Sequence, residues 1–553
     1  MDDRLVLGPL LRYVDETSAS VWVETSGPSV VAVAAGGGRW EAPAFAVHDH
    51  HYGLVEVDGL EPGSIQTYTV EIDGSEVWPP ADSDLPPSRI ATIKPGKELR
   101  LAFGSCRMAF PHDAEANRKH GVDALRAYAS HMATNEADKW PDLLLFLGDQ
   151  VYADETSDEM REFIACRRNL DEPPGTELKD FEEYTYLYRL AWTDPTNRWL
   201  LSTLPSAMIF DDHDIRDDWN TSAQWRREMA ELPWWHDRIV GGLTSYWIYQ
   251  HLGNLSPTDR ADDELWSQIV ADRGSSAAPR DWGKELDAFA ERADEHPDTY
   301  RWSYARDIGH SRLIVIDSRA ARVLQPEKRS IIDDRGMEWL DEQMRGDFHH
   351  LLIGTSLPFL LSKGLHNFEA WSEAVASGAW GKAAAVAGEK LRRAVDLEHW
   401  AAFHEGFQRV AAMAVDVAAG KRGEKPGSVT FLSGDVHHSY VAQSVSNGGA
   451  QIIQAVCSPI RNKLPRPVSM TMGTLRTTPV AAVTGFLARR AKVEPPVIDW
   501  EVTHGPWYDS NLATLETHGR EMSMRWETGT TDGAEDGEPT LRVVADFTIK
   551  SPT

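Results

Sequence analysis

The chain has 553 residues, and its 56 Lys and Arg against 85 Asp and Glu leave a formal net charge of −29. A surplus of that sign repels polyanions, so general binding to nucleic acid or anionic membrane is disfavoured, while a local cationic pocket for a small phosphate is not excluded. With 42% hydrophobic and 25% charged residues and only Cys106, Cys166 and Cys457, the chain is neither a disordered tail nor a disulfide scaffold.

At roughly 100–200 residues per domain, two to four structural units are expected. Met-Asp-Asp-Arg opens the chain without a basic region and an apolar run, so the expected location is cytoplasmic. Residues 1 to about 95 alternate as β-strands, in Ser20–Glu24, Ser29–Val33 and Gly53–Val57. The turn Gly59-Leu-Glu-Pro-Gly63 before Tyr68–Ile72 resembles a fibronectin-type sandwich. Pro-rich segments near Trp78–Pro80, Leu85–Pro87 and Lys94–Gly96 mark a boundary, so the expected domains are 1–95 and 96–553.

Beyond the boundary come short apolar runs of the kind that sheet strands covered on both faces require. Leu99–Phe103 ends in Gly104-Ser-Cys106, Leu143–Leu147 in Gly148-Asp-Gln-Val-Tyr152, and Ala207–Phe210 in Asp211-Asp-His-Asp214. Leu313–Ile316 ends in Asp317-Ser-Arg319, His350–Ile353 in Gly354-Thr-Ser356, and Val429–Leu432 in Ser433-Gly-Asp-Val-His-His438. Ligands of α/β sheets bind outside the C-terminal ends of strands, so these tips converge if the strands are neighbours. Residues 222–300 and 364–420 read as helical insertions able to wall such a site. The apolar stretch Val480–Ala488 is about half of the roughly 18 residues that a membrane span needs. A terminal hairpin is expected from Met522–Trp526 and Leu541–Ile549.

Asp435-x-His437 places two ligand-type side chains on one face if the strand continues, because alternation has period two. A helix-capping Asp with a surface His is the plainer alternative. Asp149 serves equally as a cap or as a bridging carboxylate, with the Tyr152 phenol nearby. Cys106 by itself reads as a small buried hydrophobe; beside a tyrosinate, its thiolate favours a transition metal such as iron. Five carboxylates in Asp211–Asp218 repel one another unless cations or Arg216 offset them. His48, His50 and His51 read as solvated loop residues, and the tryptophans as packing anchors. No Gly-x-Ser-x-Gly elbow and no nucleotide-binding glycine loop accompanies these strands.

Taken in order, Gly104-Ser-Cys106, Gly148–Tyr152, Asp211–Asp214, Asp317-Ser-Arg319 and Ser433–His437 resemble the alkaline phosphatase D (PhoD-like) branch of the calcineurin-type metallophosphatases over about residues 97–460. The resemblance implies an α/β, four-layer αββα core behind the small β domain. It also implies a dinuclear or trinuclear centre, Fe3+ with Ca2+, that hydrolyses phosphate esters through a metal-bridged hydroxide. By motif, Cys106, Asp149, Tyr152 and His437 correspond to iron-side ligands, and Asp435 and Asp212 to the second cation, with His213 at the position that stabilises the transition state. Asp212 stands where the wider superfamily has Asn, which leaves Asp212, Asp217, Asp218 and Asn220 open as the second ligand. Arg107 and Arg319 are candidates for phosphate contacts or structural ion pairs, and His438 for a supporting role. The partner implied is a small phosphate ester. A phospholipase-type diesterase and a noncatalytic, metal-stabilised binding protein are the alternatives.

Overall fold

The computed structural model describes residues 2–273, 280–325, 328–445, 448–463 and 478–549. The alternating N-terminal segments form two antiparallel sheets. One runs Leu5–Val14, Ala19–Thr25, His50–Val57, Phe45–Val47; the other runs Gly38–Pro43, Val30–Ala35, Ile65–Ile72, Ser75–Trp78, with Arg89–Ala91 also paired to Ile65–Ile72. Val21, Val23, Val55 and Val57 of the first sheet pack against Val31, Val33, Val70 and Ile72 of the second, which makes a β-sandwich. The alternate residues Leu10, Trp22, Tyr52 and Leu54 do not face water; they join the main core. Arg12 fastens this seam: its guanidinium donates to the carbonyls of Tyr249 (2.6 Å), Gln250 (2.7 Å) and Ser206 (3.3 Å).

The histidines near this seam are not solvated loop residues as a group. His48 and Asp49 adopt left-handed backbone (φ 49° and 66°) that turns the hairpin tip onto Asp281, whose carboxylate accepts both their amides. His50 lies on the strand His50–Val57, with Nδ1 3.1 Å from Glu24 and Nε2 2.8 Å from Glu182. Burial opposes its charge, yet the hydrogen bonds to Glu182 and Glu24 push His50 from 6.5 up to about 9. The stability tied to that proton is complete below the unfolded value and is lost as pH rises through about 9. The urea midpoint of His50→Gln is therefore expected to fall short of wild type most at about pH 6, with the gap closing by about pH 10. A gap independent of pH would remove the linkage.

Two larger sheets follow. The first has the order Ser206–Ile209, Leu143–Leu147, Arg100–Gly104, Asn511–His518, Glu521–Thr531, Pro539–Ile549, parallel across its first three strands. The second runs Tyr304–Ile308, Ser311–Ile316, His350–Thr355, Ser428–Ser433, Gln451–Val456, Ser439–Ser444, Trp500–Trp507, parallel from Ser311–Ile316 to Gln451–Val456. Period-two alternation sorts their side chains. Leu313, Val315, Leu352 and Ile453 share a core with Leu145 and Leu147 of the facing sheet. Ile314, Ile316, Ile353 and Phe431 point the other way, onto Met337 and Leu340 of helix Asp334–Gln343 and onto Phe407, Val410 and Ala414 of helix His404–Ala418. Helix Ala124–Ala133 lies across Glu521–Thr531 and Pro539–Ile549, completing four layers, helix, sheet, sheet, helix.

The two helical insertions go to different places. Helices Glu264–Arg273 and Gly283–Glu295 buttress the sandwich, where Trp266 meets Phe45 edge to face at 5.8 Å and Trp282 N donates to the Ala46 carbonyl. The second insertion, with helices Lys363–Ala376 and Lys382–Ala394, borders the strand tips instead. Trp22, Trp199, Trp219, Trp247, Trp302, Trp400 and Trp526 are fully buried packing anchors, as expected. Among the described residues no helix is long and apolar enough to cross a membrane, and Val480–Ala488 lies within helix Thr478–Arg490.

Candidate metal centre

Adjacent parallel strands release their chains at one edge of the two sheets. Arg100–Gly104 leads to Cys106, Leu143–Leu147 to Asp149, Ser206–Ile209 to Asp211 and Asp212, Ser311–Ile316 to Arg319, and Ser428–Ser433 to Asp435 and His437. Three of these tips turn sharply. Cys106, Asp149, Asp435 and His437 have left-handed φ values of 57°, 51°, 64° and 49°. Non-glycine residues hold such backbone at a cost of about 1–3 kcal/mol each, which packing around the tips must offset. Asp435 and His437 do not share a strand face: the strand stops at Ser433, and these two reach the site from a turn.

Three overlapping donor groups result, each with ligand atoms within 4.8 Å of one another: Cys106 with Asp149 and His437, Asp149 with Asp212 and His213, and Asp211 with Asp212 and Asp435. Asp149 and Asp212 each belong to two of them. Tyr152 adds its hydroxyl 3.4 Å from Asp149 Oδ2. Ser458 donates to Cys106 Sγ at 3.3 Å. Burial, followed by the charges of Asp149 and Asp435, pushes the Cys106 thiol far up, and burial beside Cys106 does the same to Tyr152. A bound cation would favour the ionised form of both. Burial draws His437 down to about 4, leaving the neutral imidazole that a metal binds.

The donor set fits such a cation. Burial and the neighbouring carboxylates raise Asp149, Asp211 and Asp212, an arrangement that positive charge relieves. Asp149 Oδ1, Asp211 Oδ2 and Asn220 Oδ1 are buried without a hydrogen-bond partner. Of the residues left open for the second ion, Asp212 lies in the cluster. Asn220 is buried, with Nδ2 on the Arg319 carbonyl at 3.2 Å. Asp218 is half-buried, and its amide donates to Asp212 at 3.0 Å. Asp217 is 65% exposed and stands 3.9 Å from His213.

Arg319 enters this acidic cluster from below. Fully buried, its guanidinium pairs with Asp211, lies 2.9 Å from Asp212 and 2.6 Å from Glu398, and stands 3.8 Å from Asp435. It, and not Arg216, neutralises the carboxylate run; Arg216 turns away to Glu177 at 3.3 Å and to the face of Trp234. Arg107 is committed elsewhere, with Nη2 2.8 Å from Asp123 and Nη1 on the Ala191 carbonyl. His438 is buried and donates from Nδ1 to the Val436 carbonyl at 2.6 Å, its ring beside Tyr440 and Tyr508.

Several residues that shape the site escape the sequence. Asp154 holds His213 Nδ1 at 2.9 Å, and the His213 ring lies 4.7 Å from that of Tyr152. Against the effect of burial, Asp154 and Asp212 raise His213 well above the ordinary histidine range. His399 spans Glu369 (2.7 Å) and Asp435 (3.0 Å), fixing one Asp435 oxygen. Asp214 accepts the amides of Asp149 and Asp211, both at 2.9 Å, and so sets the geometry of two tips without entering the cluster. Asp154, two residues after Tyr152, was within reach of a motif reading; Glu369, Glu398 and His399 carry no spacing signal. Beside Asp154 opens a cleft of about 1000 Å³ lined in part by Phe110, His112, Glu155 and Arg161.

Comparison with known proteins bears on this arrangement. The family model described as PhoD-like phosphatase matches residues 116–470, and one described as a domain of unknown function, DUF7800, matches residues 2–90. The fold is similar to a solved structure of PhoD, at 13% identity and a TM-score of 0.60, covering 100% of this chain and 91% of that one. It is also similar to a purple acid phosphatase, PPD1, from yellow lupin (Lupinus luteus) seeds, at 10% identity and a TM-score of 0.50, covering 98% and 74%. Among curated proteins no sequence matches.

Proposed function

The chain belongs to the PhoD-like phosphatase family, and on that premise we propose that it hydrolyses phosphate esters at a metal centre held by Cys106, Asp149, Tyr152, Asp212, Asp435 and His437. The observation that carries the proposal is the proximity of Asp149 and Asp212, which links the donor group Cys106, Asp149 and His437 to the group Asp211, Asp212 and Asp435. Thiolate, phenolate and imidazole donors suit iron, and the carboxylate-only group Asp211, Asp212 and Asp435 suits a hard ion such as Ca2+. When bound, the ions would supply Lewis-acid neutralisation of phosphoryl oxygens and an activated water.

The remaining work falls to the chain. His213 holds one proton at Nδ1 against Asp154, which orients Nε2 to donate to the departing ester oxygen. The adjoining cleft has room for the alcohol portion of the ester. Asp154→Asn is expected to lower kcat by about tenfold or more and to move the alkaline limb of the kcat profile to lower pH, since the charge sustaining the His213 proton is gone. A loss of kcat with an unmoved limb would reduce Asp154 to a structural residue.

The function itself is tested with p-nitrophenyl phosphate and bis-p-nitrophenyl phosphate, over a metal series and after chelation. Turnover that follows metal content, with a visible absorption band lost in Tyr152→Phe, is expected. Full turnover by chelated protein, or none on either ester with metals restored, would reject the proposal; the ratio of the two rates separates monoesterase from diesterase.

A further inference from the structure

Helix Thr478–Arg490 presents an apolar stripe to solvent. Pro479, Ala482, Val483 and Phe486 recur at helical spacing on one face, with Val483 60% and Phe486 56% exposed, while Thr484 and Ala488 are buried. The helix rests on Lys363–Ala376, where Asn367 donates to the Ala481 carbonyl. Helix Lys382–Ala394 packs on the same support, with Gly388 close to the backbone of Ala376, and it exposes Val386. Trp380 is also exposed, and its indole donates to the Arg490 carbonyl. Framing these apolar groups are Lys382, Lys390, Arg489, Arg490 and Lys492, all exposed and without an ion-pair partner among the described residues. The two helices together carry six cations and one acid, Glu389, on a chain of net charge −29.

We propose that this face docks on an anionic lipid surface, the apolar stripe entering the acyl boundary and the lysines and arginines resting among the headgroups. The charge of the whole chain opposes such binding, but the attraction is set by charges within a Debye length of the bilayer, and the two helices that would face it carry an excess of five positive charges. A second copy of the chain is a poorer occupant, because a two-fold contact would set the same five cations against each other. From Ala394 only four residues, at most about 14 Å of chain, lead to Glu398 at the metal centre, so a docked molecule holds that centre near the lipid. The inference stands on this surface alone and does not depend on the chemistry at the centre.

Co-sedimentation of the full chain with vesicles of phosphatidylglycerol and phosphatidylcholine, against phosphatidylcholine alone, tests it. Binding is expected on the anionic vesicles only, declining with added salt. The pair Arg489→Glu and Arg490→Glu should weaken it by about thirtyfold or more. The pair Val483→Ser and Phe486→Ser should weaken it by about tenfold or more. Hydrolysis of a soluble chromogenic ester, measured alongside, should be unchanged in both pairs. Equal sedimentation with both vesicle types, wild-type binding by both pairs, or a concentration-dependent dimer broken by the serine pair would overturn the proposal.

Discussion

Asp149→Asn is expected to strip bound metal from the protein and to lower kcat/KM on a phosphate ester by about a thousandfold or more, while leaving the chain folded. Asp149 is shared by two donor groups, so its loss weakens both ends of the centre at once. The folded state tolerates the change for three reasons. Asn is nearly isosteric with Asp and is among the residues that best accept left-handed backbone, which position 149 requires at φ 51°. The amide that Asp214 holds belongs to the main chain and is untouched. Removing the charge also relieves repulsion, because burial and the carboxylates Asp211, Asp212 and Asp214 oppose ionisation there. The metal-free variant should consequently melt at or above the metal-free wild type, whereas the metal-loaded comparison should reverse the order. Metal analysis by mass spectrometry, with calorimetry of both forms, checks this; a variant with full metal content and full turnover would dispose of Asp149 as a shared ligand.

The strands of the core were legible because each is a short apolar run ending in a change of composition. Leu143–Leu147 lies at its expected bounds and delivers Asp149. The C-terminal strands were legible only as alternating segments; that Asn511–His518 pairs with Arg100–Gly104 is a long-range register that no local pattern encodes. At the site, residues inside a strand-tip motif could be read, since the motif itself fixes their distance from the sheet. Asp435 and His437 illustrate the limit: strand alternation would put them on one face, whereas the strand ends at Ser433 and both sit in left-handed turn backbone beyond it. Glu369, Glu398 and His399 arrive from an insertion whose helical periodicity reports only which face is buried. The same holds for His50, whose partner Glu182 is 132 residues away, so its role as an ion-paired seam residue exists only in three dimensions.

Arg319→Met is expected to cost the metal-free protein about 3–5 kcal/mol of stability, far more than a lost substrate contact would. The guanidinium lies among carboxylates of the fold: it is hydrogen-bonded to Asp211 through Nε and ion-paired with Asp212 at 2.9 Å and Glu398 at 2.6 Å. Without it, carboxylates buried beside one another lose the fixed positive charge that holds them in place before any ion arrives. Lysine is a poor replacement, since one compact ammonium cannot serve three carboxylates set around a planar fork. Arg319→Lys should therefore stay close to Arg319→Met in its melting midpoint. Added metal should recover part of the loss in both, because an ion among Asp211, Asp212 and Asp435 takes over some of the same neutralisation. The competing role, a clamp on substrate phosphate, predicts the opposite pattern: a raised KM with an unchanged melting midpoint. Thermal unfolding and steady-state kinetics on the same preparations separate the two, and an unchanged midpoint would remove Arg319 from the frame of the centre and return it to the substrate.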